Sequence, residues 1–187
     1  EVGKQKWIDK ARGQTERLKE LVNSLVTLSR MDEETSPLHM ADFPVSEAVE
    51  ETASSFADYA ASQGHALALD IQPGLTYRGD EYAVRQLTSL LLDNAVKYAA
   101  RGGDIRFSLE KAKRGVVLRC ENPCENWETL ETDKLFDRFY RADTSRSGEA
   151  TGFGIGLSVA RSIAEGHRGW IKAEAAAGQV VFTACLR

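Results

Sequence analysis

Asn94, Lys97 and Tyr98 stand at spacing i, i+3 and i+4 within Ser89-Leu90-Leu91-Leu92-Asp93-Asn94-Ala95-Val96-Lys97-Tyr98, so on a helix the three side chains share one face. An amide oxygen suits a hard cation, an ammonium suits phosphate as a point charge, and a phenol ring offers a flat, partly polar surface to a base or ribose. Together they are equipped to receive a metal-bound polyphosphate, although a solvated helix edge has the same composition. Further along, Thr151-Gly152-Phe153-Gly154-Ile155-Gly156-Leu157 sets three alternating glycines ahead of the apolar run Leu157, Val159, Ala160, Ile163 and Ala164. Glycines admit phosphate close to backbone amides, and a helix N-terminus favours negative charge. No Lys-Ser or Lys-Thr follows and no clear strand leads in, so neither a P-loop nor a dinucleotide fingerprint fits.

Between the two lies Lys134-Leu135-Phe136-Asp137-Arg138-Phe139-Tyr140-Arg141. In this combination and order the chain resembles the ATP-binding catalytic domain of sensor histidine kinases: residues 90–98 look like the N box, 135–143 the F box and 152–160 the second glycine box. The likeness runs from about the start of the chain to Arg187 and ends in two strand-like segments around Trp170 and Val180. It implies that Asn94 holds Mg2+ against the phosphates of ATP, that Lys97 contacts phosphate with Tyr98 beside it, and that Arg141 and Arg146 are the phosphate ligands of a mobile lid between Arg138 and Gly152. Gly152, Gly154, Gly156 and Leu157 would line the nucleotide, with Lys97 and Arg141 the catalytic cations. The implied partners are a histidine-bearing helix of the same kinase, in cis or in trans within a homodimer, and a response-regulator receiver domain. The implied location is the cytoplasmic portion of a membrane-anchored bacterial sensor.

Two positions depart from the family pattern. Where the N box carries a further Asn, one turn before the metal ligand, this chain has Leu90; related ATPases such as gyrase and the heat-shock chaperone place a water-activating glutamate there. Leucine neither coordinates metal nor takes a proton, which argues for transfer to an external histidine rather than to water. The first glycine box, usually Asp-x-Gly-x-Gly, reads Asn122-Pro123-Cys124-Glu125-Asn126. Asn122 is the leading candidate to accept from the exocyclic amine of adenine and Glu121 the competitor; strand alternation allows only one of them into a pocket. A degenerate domain that binds nucleotide or docks partners without catalysis is the alternative function, and a stand-alone ATPase the weaker one.

The elements that would position these residues are legible too. A length of 187 residues suits one domain plus an appended element. Net charge -4 without a dense basic patch gives no nucleic-acid footprint, and no run approaches the ~20 apolar residues of a membrane span. Cys120, Cys124 and Cys185 lack paired spacing and read as reduced thiols; His39, His65 and His167 read as surface or strand residues. Residues 1–31 carry Trp7, Ala11, Leu18, Leu21, Leu25 and Leu28 on a heptad-like seam, which resembles the second helix of the family's dimerisation and phosphotransfer hairpin. Asp32-Glu33-Glu34-Thr35-Ser36-Pro37 reads as a linker, and 38–187 as the catalytic domain. There the pattern predicts a strand over 38–43, a helix from 45 to about 63, strands at 65–71 and 76–78, and a helix capped by Asp80 and running to about Ala99. A hairpin of 105–110 with 116–121, the glycine-box helix and strands at 170–175 and 179–186 follow. The expected fold is an α/β (α+β) two-layer sandwich, with one mixed, mostly antiparallel sheet covered on one face by helices and preceded by an amphipathic helix.

Overall fold

The structure, a computed structural model, describes residues 38–142 and 154–187, with Trp7, Thr15, Leu18 and Val22 as isolated helical positions. In chain order the elements are β1 (Ala41–Pro44), α1 (Val45–Ser54), α2 (Ala57–Ser62), β2 (Leu67–Ile71), β3 (Thr76–Gly79), α3 (Glu81–Tyr98), β4 (Ile105–Lys111) and β5 (Val116–Pro123). Two short 3-10 turns follow, Trp127–Thr129 and Thr132–Phe136, then α4 (Gly156–Gly166), β6 (Trp170–Ala176) and β7 (Gln179–Leu186). The linker and most of the predicted N-terminal helix fall outside the described residues; of the seam, Trp7 and Leu18 are helical and exposed.

Alternation builds the main layer. Ile105, Phe107 and Leu109 of β4, with Val116, Leu118 and Cys120 of β5, bury every second side chain against the helices while Arg106 and Arg119 point away. The sheet has the order β2-β4-β5-β7-β6, with β2 parallel to β4 and every other pair antiparallel. Mixed and mostly antiparallel is therefore right, but a single sheet is not: β1 and β3 form a separate two-stranded ribbon. Its Phe43 and Tyr77, opposite in register, meet edge to face at 6.1 Å, and Tyr77 continues onto the ring of His167 at 5.9 Å. The ribbon thus closes on the end of α4 instead of extending the sheet.

Between sheet and solvent, α3 buries Val84, Leu87, Leu91, Leu92 and Ala95, and α4 buries Val159, Ala160 and Ile163, at the helical period their sequences carry. Asp80 caps α3 as its position predicts: Oδ1 accepts from the Ala83 N–H at 3.0 Å, and Oδ2 accepts from the His39 N–H at 2.9 Å. The helix expected from 45 to about 63 is broken in two. Thr52 and Ser55 hydroxyls bond back to the Ala48 and Thr52 carbonyls, and the Phe56 N–H takes the Ala53 carbonyl three residues back, which tightens the chain out of α-helix. In the β4–β5 hairpin, Gly115 has φ +85°, and a Cβ there would collide with the Leu186 carbonyl.

His167 is not a surface residue. It is fully buried at the end of α4; its Nδ1–H donates to the Ile163 carbonyl at 2.8 Å and its Nε2 accepts from the Asp80 N–H at 3.0 Å. This single neutral ring ties the start of α3 to the end of α4. His65 is buried as well, with Nδ1 3.0 Å from the Gly103 carbonyl.

Candidate nucleotide site

The unburied edge of α3 runs through Leu90, Asn94, Lys97 and Tyr98. A Cβ on Gly156 would meet Leu90 Cδ2 at 3.5 Å, so this edge faces the start of α4, with Asn94 one turn further along it. Asn94 is half-buried and the Tyr98 ring 43% exposed. Lys97 is already engaged: its Nζ lies 2.7 Å from Oδ2 of Asp93, one turn earlier. That pairing places the ammonium on the same edge of the helix as Asn94. Asp93 was missed as part of the site from sequence, although an i, i+4 acid–lysine spacing signals it.

The glycine segment meets this edge at the helix start. Gly154 has φ +69°, and a Cβ would come within 2.7 Å of the Tyr140 carbonyl oxygen and 2.8 Å of the Phe139 carbonyl carbon. Its own carbonyl accepts from the Phe139 N–H at 2.8 Å, which stitches the Phe136–Arg141 segment to the glycines. Ile155 is the buried residue ahead of α4, and no side chain caps the helix; the Ser158 hydroxyl bonds back to the Ile155 carbonyl at 2.7 Å instead. The amide-rich, electropositive end at Gly156 and Leu157 is therefore uncapped by side chains among the described residues.

The third component is Asn122. Its side chain is fully buried, Nδ2 donates to the Pro123 carbonyl at 3.1 Å, and Oδ1 has no hydrogen-bond partner, alone among the buried side-chain polar atoms of the described residues. An unmet buried acceptor costs on the order of 1–3 kcal/mol, and such an exception calls for a partner from outside the fold, an ordered water, an ion or a ligand, to complete it. The alternation of β5 turns Asn122 to the helix-covered side and Glu121 to the other. The Pro123 carbonyl also accepts from the Ala100 N–H at 2.9 Å, which holds Asn122 beside the end of α3.

Phe136 packs edge-on to Phe182 at 6.3 Å, with the Arg161 guanidinium 5.8 Å over its ring. Phe139 does not pack; it is 63% exposed with φ 65°. Glu131 accepts from Lys134 at 2.8 Å and from the Tyr140 hydroxyl at 3.1 Å, and these bonds, Lys134 first, hold its carboxyl below the usual range. Arg141 is exposed, while Arg146, Gly152 and the remainder of the predicted lid lie outside the described residues. Cys120 and Cys185 are buried free thiols; burial, and secondarily the charge of Glu121, raises Cys120 far above the ordinary thiol range. Among the described residues no helix is long and apolar enough to cross a membrane.

The α3 edge that bears an amide and a cation is met at Leu90 by the helix start behind the glycines, and past its end by the strand that carries the buried unpaired acceptor of Asn122; on a two-layer sandwich these are the parts of a nucleotide-binding domain of the ATPase type. Residues 79–187 match the family described as histidine kinase-, DNA gyrase B-, and HSP90-like ATPase, and the chain belongs to that family. It is 31% identical over 168 residues, 90% of its length, to the sensor protein DltS of Streptococcus agalactiae, of which it spans 42%. The fold is that of the Acinetobacter baumannii histidine kinase AdeS (TM-score 0.74, 25% identity, 93% of this chain and 80% of that one). It is likewise that of full-length ShkA solved with AMPPNP (TM-score 0.79, 19% identity, 98% and 39%).

Proposed function

We propose that this chain is the ATP-binding catalytic portion of a two-component sensor histidine kinase, passing the γ-phosphoryl group of Mg2+-ATP to a histidine on a helix outside this chain, for relay to a response-regulator aspartate. The observation that carries the reading is the buried, unpartnered Oδ1 of Asn122, on a strand tied by the Pro123 carbonyl to the end of α3, the helix whose edge carries Asn94. An acceptor held in that orientation by Nδ2 on Pro123 matches the exocyclic amine of adenine.

The other residues divide the polyphosphate between them. The amide oxygen of Asn94 would hold Mg2+, a cation that takes few protein ligands and keeps waters. Lys97, oriented by Asp93, and the backbone amides at Gly154, Gly156 and Leu157 would take phosphate oxygens. Tyr98 would flank them, with Arg141, Arg146 and Gly152 supplying the lid side. Bound Mg2+-ATP supplies the activated phosphoryl group with its charge partly neutralised. Leu90 offers no base to a water molecule at the metal-facing turn, so the acceptor is a nucleophile brought from elsewhere. Residues 1–31 would be the second helix of the dimerisation hairpin, 32–37 the linker and 38–187 the catalytic domain of a membrane-anchored bacterial sensor, on its cytoplasmic side. The histidine-bearing helix, in cis or in trans within a homodimer, and a receiver domain are then its partners; neither nucleic acid nor a membrane contact belongs to this fragment.

The direct test mixes the chain with a separately made histidine-bearing hairpin and γ-labelled ATP. Acid-labile label on the hairpin is expected; no transfer under conditions where calorimetry shows nucleotide bound would sink the kinase reading. A second reading, a nucleotide-binding or docking module without catalysis, is favoured by Leu90 and by the glycine-free segment after Asn122. It predicts binding without transfer, whereas a stand-alone ATPase would release phosphate steadily with no histidine partner.

A further inference from the structure

At the other end of β5 from Asn122, a cleft of about 1020 Å³ lies between the β1–β3 ribbon, the β4–β5 hairpin and the end of α4. That volume is at the upper end of what ligand clefts occupy, roughly 300–1,000 Å³. Leu38, Leu75 and Val116 give it an apolar lining, and the exposed Arg78, Lys111, Arg168 and Arg187 bring four cations to it, with no carboxylate among the described lining residues. The ion pairs among the described residues go to other cations, Arg85, Lys97, Lys134, Arg161 and Lys172. None of the four joins one, Arg78 included, although Asp42 stands opposite it across the ribbon. Uncompensated cations around one concavity raise the local concentration of anions.

The same cleft runs along an open strand edge. Thr76, Tyr77 and Arg78 of β3 line it in succession, whereas no residue of β1 is among the described lining residues. β3 has β1 as its one strand neighbour among the described residues. The Leu75 carbonyl accepts from the Ser46 N–H at 3.4 Å, where β1 runs into α1, and Pro44, opposite Thr76, has no N–H to give. Backbone groups along an antiparallel strand turn to alternate sides, so Tyr77 and Gly79 turn theirs to β1, while Thr76 and Arg78 turn their N–H and C=O away from it, toward the cleft. Neither residue has a backbone partner on that side among the described residues. An open edge of this kind takes a further strand. An ionised phosphate meets cations and N–H groups but has no donor for the two carbonyls; a peptide backbone has donors and acceptors both. We propose that the cleft receives an extended acidic segment of a partner protein, which adds as a strand to the outer edge of β3. Its alternate carboxylates meet Arg78, Lys111, Arg168 and Arg187, and its intervening apolar side chains lie on Leu38, Leu75 and Val116. The cleft shares no residue with the nucleotide site, so the docking stands independently of the kinase reading.

The test titrates the whole chain against a short fluorescein-labelled peptide of alternating glutamate and valine, read by fluorescence anisotropy. Affinity is expected to fall about tenfold between low and high salt, because the cations lie at the surface. It should fall about tenfold as well in the Arg78→Glu/Arg168→Glu double variant, to which a peptide of alternating lysine and valine should bind instead. Both substituted residues are exposed, circular dichroism checks the fold, and affinity for Mg2+-ATP should not change. N-methylation of the peptide separates strand addition from charge alone without altering the protein. Methylating the one alternate set of amides that faces β3 keeps every charge and should weaken binding about tenfold, whereas methylating the other set should weaken it by less than about twofold. Equal losses for the two methylated sets, binding indifferent to salt and charge reversal, or no binding of the parent peptide would each overturn the docking. Displacement by pyrophosphate, or by phosphatidylglycerol vesicles, as readily as by unlabelled peptide would overturn it too, and would assign the cleft to a free phosphate or to a lipid surface.

Discussion

The two ends of α3 are built to opposite specifications. At its start the buried and half-buried polar groups are tied into the fold: Asp80 accepts from Ala83 and His39, its N–H donates to His167, and Arg85 binds Glu81, Glu51 and the Ala48 carbonyl across to α1. Toward its end Asn122 keeps a buried oxygen unpaired and Tyr98 stays exposed, and from Leu90 onward the helix faces the start of α4, which has no side-chain cap among the described residues. One end is a frame held by hydrogen bonds and ion pairs made within the domain itself. The other end leaves acceptor and donor groups for a ligand to complete, at a cost in stability that the frame absorbs.

The most damaging way to break the contrast is at the frame. His167→Ala removes a fully buried ring that accepts from Asp80 N–H and donates to Ile163, leaving the Asp80 N–H unmet and a void beside Tyr77, while the Ile163 carbonyl keeps its bond from the His167 N–H. A loss of about 3 kcal/mol in urea unfolding is expected, with an unchanged m-value. Mg2+-ATP affinity of the folded fraction should stay within about twofold, because nothing His167 touches belongs to the other end. Affinity falling in step with stability would show that the ends are not separable.

At the site end the order of effects reverses. Asn94→Ala is expected to lower calorimetric affinity for Mg2+-ATP by about 10- to 100-fold, the scale on which lost metal-site groups act. Its urea midpoint should move by no more than about 0.5 kcal/mol, since the side chain is half-buried and makes no bond that the fold needs. Asn122→Leu sharpens the contrast most: it deletes the unpaired acceptor, and the Pro123 carbonyl keeps its bond from Ala100. The free domain should gain about 1 kcal/mol while losing the rise in Tm that Mg2+-ATP gives the parent. A destabilised variant would mean that Asn122 serves the fold, not the nucleotide.

The frame and the site were unequally legible in the sequence. Strand alternation and the helical period of α3 and α4 placed most elements, because those patterns are local. The Asp80 cap was readable for the same reason. His167 was misread because its partners, Asp80 and Ile163, come together only in the tertiary fold, and a lone histidine at a helix end carries no periodic signal. The Ser54-Ser55 break was hidden by apolar residues that continue a helical period on either side. The β1–β3 ribbon was assigned to the main sheet because strand propensity does not specify a partner. At the site, Asn94 and the glycines were visible as types and spacings; the Asp93–Lys97 pair needed only an i, i+4 check, whereas the unmet oxygen of Asn122 is a property of packing alone.

The finest test returns to the frame and asks how firmly it excludes charge. Tyr77 is buried with its hydroxyl 3.2 Å from the Arg187 carbonyl, and burial first, then the neighbouring Cys185, pushes its pKa up to about 12. A tyrosine in the unfolded chain ionises near about 10, so the unfolded state gives up this proton first. The contribution is therefore whole below about pH 10 and is lost as pH rises through the 10–12 window. Tyr77→Phe forfeits the hydrogen bond, about 1 kcal/mol at every pH, but has no proton to lose. Its urea midpoint should decline less steeply than the parent's between about pH 9 and 11, the accessible part of that window. Mg2+-ATP affinity should be untouched, because Tyr77 lies at the His167 end. Parallel slopes would mean that the ribbon admits a phenolate, and the frame would then be as permissive to charge as the site it supports.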